Sequence, residues 1–158
     1  MYLDTVAIIE RLHRRCLDVI GFEIEKAGVR DINSIQALIL FNIGHEELTV
    51  GELTLRGCYH GSNVSYNLKK LREAGYVSHE QSAHDRRSFR VKLTPQGHEV
   101  RGLLQNMFDT QAEMMSGMEM TEGAFRDVNQ TLFFLDRVWT NFSNDFFEDR
   151  VGMRLRAV

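Results

Sequence analysis

The sequence predicts a mainly α fold that carries one small β-hairpin. Apolar residues recur at three- and four-residue spacing along most of the chain. Alternation of apolar and polar residues is concentrated in the middle, in "YVSHEQSA" and "SFRVKL". The only proline, Pro95, follows the second of these runs and suits the first position of a new helix.

Each element has its own signal. A long first helix is expected from Asp4 to about Ala27, because Val6, Ile9, Leu12, Cys16, Val19, Ile20 and Ile24 share one face and Gly28 follows as a stop. The segment "DINSIQALILFNIG" reads as a second helix, capped by Asn33 or Ser34, ended by Gly44 and apolar nearly all round, hence buried. Thr49 and Glu52 have capping-box spacing and open a short third helix, "TVGELTLRG". After the short connection "CYHGS" comes a fourth, "SNVSYNLKKLREAG", closed by Gly75, so the third and fourth make a helix-turn-helix. Two strands follow. Thr94 then caps a helix that starts at Pro95 and runs to about Gly117, with Met107, Met114, Met115 and Met118 as core or interface filler. Thr121 and Glu122 open a last long helix. Its Phe125, Val128, Leu132, Leu135, Trp139, Phe142 and Phe146 alternate between three- and four-residue steps, which is a heptad-like seam suited to a second chain. A basic tail, 148–158, carries Arg150, Arg154 and Arg156.

The 158 residues leave room for one domain, and 43% hydrophobic with 26% charged residues is ordinary for a globular protein. No apolar run is long enough to span a membrane, and charges interrupt the N-terminus where a signal peptide needs an unbroken apolar stretch, so no membrane partner and a cytoplasmic location are expected. Cys16 and Cys58 form neither a disulfide framework nor a CxxC pair; each is expected as a buried thiol rather than a redox switch. The net charge is -3, but it is unevenly spread. Between His60 and Lys92 seven bases (Lys69, Lys70, Arg72, Arg86, Arg87, Arg90 and Lys92) face three acids (Glu73, Glu80 and Asp85), so this segment is +4 and the remainder -7.

That charge sits beside groups that read DNA. In the fourth helix Val64, Leu68 and Leu71 must face inward, which leaves Ser62, Asn63, Ser65, Tyr66, Asn67, Lys69 and Lys70 for the other faces. Hydroxyls and amides near a helix start, followed by lysines, suit a major groove: Asn pairs with adenine, Ser with base or phosphate, Lys with phosphate or guanine. In the hairpin turn "HDRRS", Arg86 and Arg87 gain nothing from folding and find a partner in a phosphate backbone or a narrow minor groove. Asp85 can hold the Arg87 guanidinium, and Ser88 and Arg90 extend the same edge.

Helix-turn-helix, two-stranded wing and long helix, in that order, describe a winged helix. The stretches "NVSYNLKKLREAGYV" and "HDRRSFRVKLTPQG" resemble the MarR family of bacterial transcription regulators, whose wing carries D-x-R, then a strand ending in L-T, then a glycine three residues on. Here those positions are Asp85, Arg87, Leu93, Thr94 and Gly97, within a match over about residues 33–100. The words "RLHRRCLDV", "DINSIQALIL" and "GSNVSYNLKKL" further resemble an alphaproteobacterial branch that controls L,D-transpeptidase genes. The resemblance implies a single MarR-like domain over 1–158. Its fold would be mainly α with a small β-wing, a winged helix-turn-helix domain (33–100) flanked by N- and C-terminal dimerisation helices (4–28 and 101–147). It implies a homodimer on a pseudo-palindromic, double-stranded DNA operator, with recognition helix 61–74 and wing 82–90. Ser65 matches the family's Ser/Thr on the recognition helix, and Arg87 its wing arginine; "HGSN" departs from the acidic residue that many members have there. Dimerisation falls to Val6, Ile9, Leu132, Leu135, Trp139 and Phe142. A small aromatic or phenolic effector would be lined by His13, Cys16, Leu17, Phe41 and Tyr66. Ligand-responsive repression is the expected action, because a dimer without an activating domain acts most simply by blocking access.

Two rival readings are weaker. An enzyme lacks support: there is no HExxH, no paired metal-ligand spacing and no glycine-rich phosphate loop, so no catalytic residue, metal or cofactor is expected. His79 and His84, five apart, would point to opposite faces of a strand. The alternative is a winged-helix protein-interaction module without DNA binding, which has no reason to keep Lys69, Lys70, Arg86 and Arg87 together.

Overall fold

The computed structural model describes residues 1–57, 61–81, 89–118 and 121–155. The order is α1 (Tyr2–Lys26), α2 (Ser34–Ile43), β1 (Leu48–Thr49), α3 (Val50–Gly57), α4 (Gly61–Glu73), β2 (Val77–Gln81), β3 (Phe89–Leu93), α5 (Pro95–Gly117) and α6 (Glu122–Leu155). The chain forms two compact units, Met1–Thr110 and Gln111–Val158.

The first unit closes one core. Ile20 and Ile24 of α1, Ile39, Leu40 and Ile43 of α2, Leu53 of α3, Val64, Leu68 and Leu71 of α4, Val91 of β3 and Leu104 of α5 are all buried in it. Each such side chain contributes about 1.5–3 kcal/mol by leaving water. The end of α1 and the first half of α5 thus supply part of the interior beside residues 33–100.

Local chemistry starts and stops the helices as expected. Asn33 caps α2 in a full capping box: its Oδ1 accepts from the Gln36 backbone N–H at 2.9 Å, and the Asn33 N–H donates to Gln36 Oε1 at 3.0 Å. α4 ends in a Schellman turn, in which the Gly75 N–H donates to the Arg72 carbonyl, the Tyr76 N–H to the Leu71 carbonyl, and Gly75 takes φ 84°. That turn swings the chain from α4 into β2.

Four expectations need correction. The wing sheet has three antiparallel strands in the order β1-β3-β2, not two, with Leu48 opposite Val91 and Thr49 opposite Arg90. A two-residue strand is too short to show alternation, and Thr49 serves both as strand end and as helix cap. Its Oγ1 accepts from the Glu52 N–H at 3.2 Å, and its own N–H donates to Glu52 Oε2 at 2.7 Å. Cys16 is exposed rather than buried, since only the C-terminal part of α1, at Ile20 and Ile24, is sunk in the core. Ile35 is exposed although α2 is otherwise sunk in the core. Helix α6 continues to Leu155, through most of the segment read as a basic tail, whose Glu, Asp and Arg residues are compatible with helix.

The second unit holds the end of α5 and the 34-residue α6, which Thr121 caps by accepting from the Ala124 N–H at 3.2 Å. None of residues 111–118 and 121–143 is buried. Val128, Leu132, Phe133, Phe134, Trp139 and Phe142 are all exposed, Phe133 and Phe142 by 69% and 70%.

Candidate nucleic-acid interface

The recognition-helix candidates stand where the pattern requires. Val64, Leu68 and Leu71 anchor α4 in the core, at 0%, 1% and 0% exposure. Ser62, Asn63, Ser65, Tyr66, Lys69 and Lys70 are exposed, and Asn67 is half-buried. Asn67 Nδ2 donates to the Asn63 carbonyl at 2.9 Å, which fixes its amide along the helix. Glu73, at the end of α4, reaches both lysines: its carboxylate lies 3.9 Å from Lys69 Nζ and 3.4 Å from Lys70 Nζ.

The strands beside this helix are also internally matched. Arg90, expected at the DNA edge, is exposed on β3 and donates from Nη1 to the Glu47 carbonyl at 3.4 Å. Lys92 pairs with Glu80 of β2 and, at 3.6 Å, with Glu47; the hydrogen bond that it donates to the Glu80 carboxylate raises its pKa. Asp85, Arg86, Arg87 and Ser88 lie outside the described residues, as do Cys58 and His84.

The L-T-x-x-G motif acts at the base of the wing. Thr94 Oγ1 donates to the Gly75 carbonyl at 2.7 Å and accepts from the Gly97 N–H at 3.2 Å. One hydroxyl thus caps α5 and ties it to the turn that ends α4. The Thr94 N–H donates to the Tyr76 carbonyl at 3.0 Å. Gly97 is dictated by close approach: a Cβ there would stand 2.2 Å from the same carbonyl. Tyr76 is buried, and its hydroxyl donates to Asp31 Oδ1 at 2.7 Å. Burial and the Asp31 partner raise the phenol's pKa.

Sequence reasoning did not single out several of these residues. Arg56 joins α3 to the end of α2, donating to the Asn42 carbonyl at 3.2 Å and pairing with Glu46 at 2.5 Å. Arg101 of α5 lies 5.8 Å from the centroid of the Phe41 ring, and its Nε is buried without a hydrogen-bond partner among the described residues. Phe41 meets Phe108 edge to face at 5.3 Å. A charged residue with aromatic neighbours far off in sequence leaves no local pattern; Glu73, three and four residues from its lysines, does.

Of the five effector candidates, His13, Cys16 and Leu17 lie on α1, Phe41 on α2 and Tyr66 on α4. His13, Cys16 and Tyr66 are exposed, Leu17 and Phe41 half-buried, and partial burial raises the Cys16 pKa, which disfavours a reactive thiolate. A cleft of about 260 Å³ between the end of α1 (Ala27) and α5 (Glu99, Leu103) is lined by none of them. The dimerisation candidates divide between the units, with Val6, Ile9 and Leu135 half-buried and Leu132, Trp139 and Phe142 exposed. Among the described residues no three His, Cys, Asp or Glu could hold a metal, and no helix is long and apolar enough to cross a membrane.

A helix-turn-helix whose second helix presents polar groups, backed by a three-stranded wing, defines a winged-helix DNA-binding fold. The winged helix DNA-binding domain family matches residues 32–97. The chain is 36% identical over 140 residues to the exopolysaccharide II synthesis transcriptional activator ExpG of Rhizobium meliloti (strain 1021), covering 89% of this chain and 72% of that protein. Among solved structures it superposes on Streptococcus pneumoniae FabT in complex with DNA with a TM-score of 0.73 at 17% identity, over 90% of this chain and 99% of that one. It superposes on Staphylococcus aureus MarR in complex with salicylate and kanamycin with a TM-score of 0.69 at 20% identity, over 89% and 93%. The chain belongs to the MarR family of winged-helix transcription regulators.

Proposed function

We propose that this regulator acts as a homodimer on a pseudo-palindromic operator in the cytoplasm, each α4 entering a major groove and each wing, 82–90, reaching the adjacent minor groove. The observation that carries the reading is α4 itself. Three apolar residues hold it rigidly, while Ser62, Asn63, Ser65 and Tyr66 stand exposed around its first turns. The exposed aromatic face of α6 supports dimerisation through Leu132, Leu135, Trp139 and Phe142, with Val6 and Ile9 of α1. Blocking a promoter is the simplest action of such a dimer. The relative from Rhizobium meliloti is named an activator, so the sign is the part of this reading that the promoter assay must set.

An effector completes the proposal. Phe41, Phe108 and Arg101 offer aromatic edges and a buried guanidinium N–H without a partner among the described residues. Those groups suit a small aromatic acid, a class that includes the salicylate bound in the Staphylococcus aureus structure.

The test is fluorescence anisotropy with the fragment upstream of the chain's own gene, titrated with salt and with competitor DNA. Specific binding that falls steeply with salt is expected. Arg87→Ala should weaken it about five- to 150-fold, by loss of a groove contact worth about 1–3 kcal/mol, and leave the dimer intact. Absence of binding at low salt, by a folded dimer, would favour the protein-interaction module instead.

A further inference from the structure

We propose that Glu73 is a built-in competitor for DNA phosphate, which holds Lys69 and Lys70 and thereby sets how tightly α4 grips DNA of any sequence. The inference rests on the DNA-binding reading above. Glu73 is the last residue of α4, where the helix presents its negative end. A carboxylate is unfavourable toward the helix dipole at that position, and its two lysine pairs offset that cost. What it gains is two cations. One oxygen lies 3.9 Å from Lys69 Nζ, the other 3.4 Å from Lys70 Nζ. All three side chains are half-exposed or more, so a phosphate can reach the lysines without any rearrangement of the core. Each lysine that contacts phosphate must therefore leave Glu73, and the freed carboxylate takes up a cation from solution. Both effects lower the affinity and the net counterion release.

The same arrangement recurs on the sheet, where Lys92 is held by Glu80 and Glu47. The three lysines of the described interface are thus all held by carboxylates. That shifts discrimination toward base contacts and the wing.

The experiment measures the full-length protein on a duplex of random sequence and on its own promoter fragment, across a salt series. Four forms are compared: wild type, Glu73→Gln, the pair Lys69→Gln with Lys70→Gln, and the triple variant. Glu73→Gln should bind both duplexes about two- to five-fold more tightly, the equivalent of two helical ion pairs. Its slope of log affinity against log salt should steepen by up to about one. In the background without the lysines the gain should vanish. An equal gain in that background would overturn the proposal, because Glu73 would then only repel DNA at a distance. No gain in either background would also overturn it. A folded wild type that binds neither duplex would remove the DNA-binding reading itself and is thereby told apart. A melting temperature for Glu73→Gln at or above wild type confirms that the fold is kept.

Discussion

The two units of the chain manage apolar surface in opposite ways. In Met1–Thr110 the large aliphatic residues of five helices and the sheet close on one another, and Ile20, Leu40, Leu53, Leu68 and Leu104 see no appreciable water. In Gln111–Val158 the apolar residues of α6 have the same helical spacing, yet Leu132, Phe133, Phe134 and Phe142 remain exposed. The first pattern is a core that one chain completes. The second is a face that stands exposed, and an exposed aromatic face of that kind marks an interaction site. Substitutions should therefore cost folding in one unit and assembly in the other.

The largest effect is expected from Gly97→Ala, at the base of the wing. The added Cβ would meet the Tyr76 carbonyl at 2.2 Å, and backbone cannot yield as a side-chain tip can. A loss of about 3 kcal/mol is expected, visible as a lower urea midpoint with unchanged slope. A near-wild-type midpoint would show that the wing base is loosely packed.

Next comes the pair Leu132→Asp with Trp139→Asp on α6. Sedimentation should show monomers that no longer bind operator, while far-ultraviolet circular dichroism retains the helices of the first unit. A tight dimer in this variant would mean that the exposed face is not the assembly surface.

Thr94→Ala removes one hydroxyl that both donates to the Gly75 carbonyl and caps α5. A loss of about 1–2 kcal/mol is expected on denaturant unfolding, at the upper end for a lost cap. Serine at this position should restore most of it.

The smallest effect concerns pH. Burial, and secondarily the Arg72 guanidinium, push the His79 pKa below the ordinary imidazole value. The unfolded chain then takes up this proton at higher pH than the folded one. Stability is unaffected well above about pH 6.5 and declines as pH falls from there toward the folded pKa. His79→Gln should flatten that part of the melting-temperature profile relative to wild type. An unchanged profile would mean that His79 titrates as a solvated imidazole.

Much of the fold was legible because it is written in local chemistry. Asn33, Thr49, Gly75, Thr94 and Thr121 each cap or end an element through neighbours within four residues. The inward and outward faces of α4 follow from one period of the helix. Long-range partners were not legible. The pairing of Leu48 with Val91, the bond from Tyr76 to Asp31 and the seat of Arg101 over Phe41 join residues far apart in sequence, with no periodic mark on either. Nor does composition show that Lys69, Lys70 and Lys92 share their charge with Glu73, Glu80 and Glu47. Of that basic segment, three lysines have carboxylate partners in three dimensions, and one of those partners, Glu47, comes from outside it.

The most direct measurement is hydroxyl-radical footprinting of the wild-type protein on its own promoter fragment. Two α4 helices in successive major grooves predict two protected patches centred about 34–36 Å apart, one helical turn, with flanking protection in the minor groove from the wings. A single patch, or no protection by a folded dimer at low salt, would contradict the account.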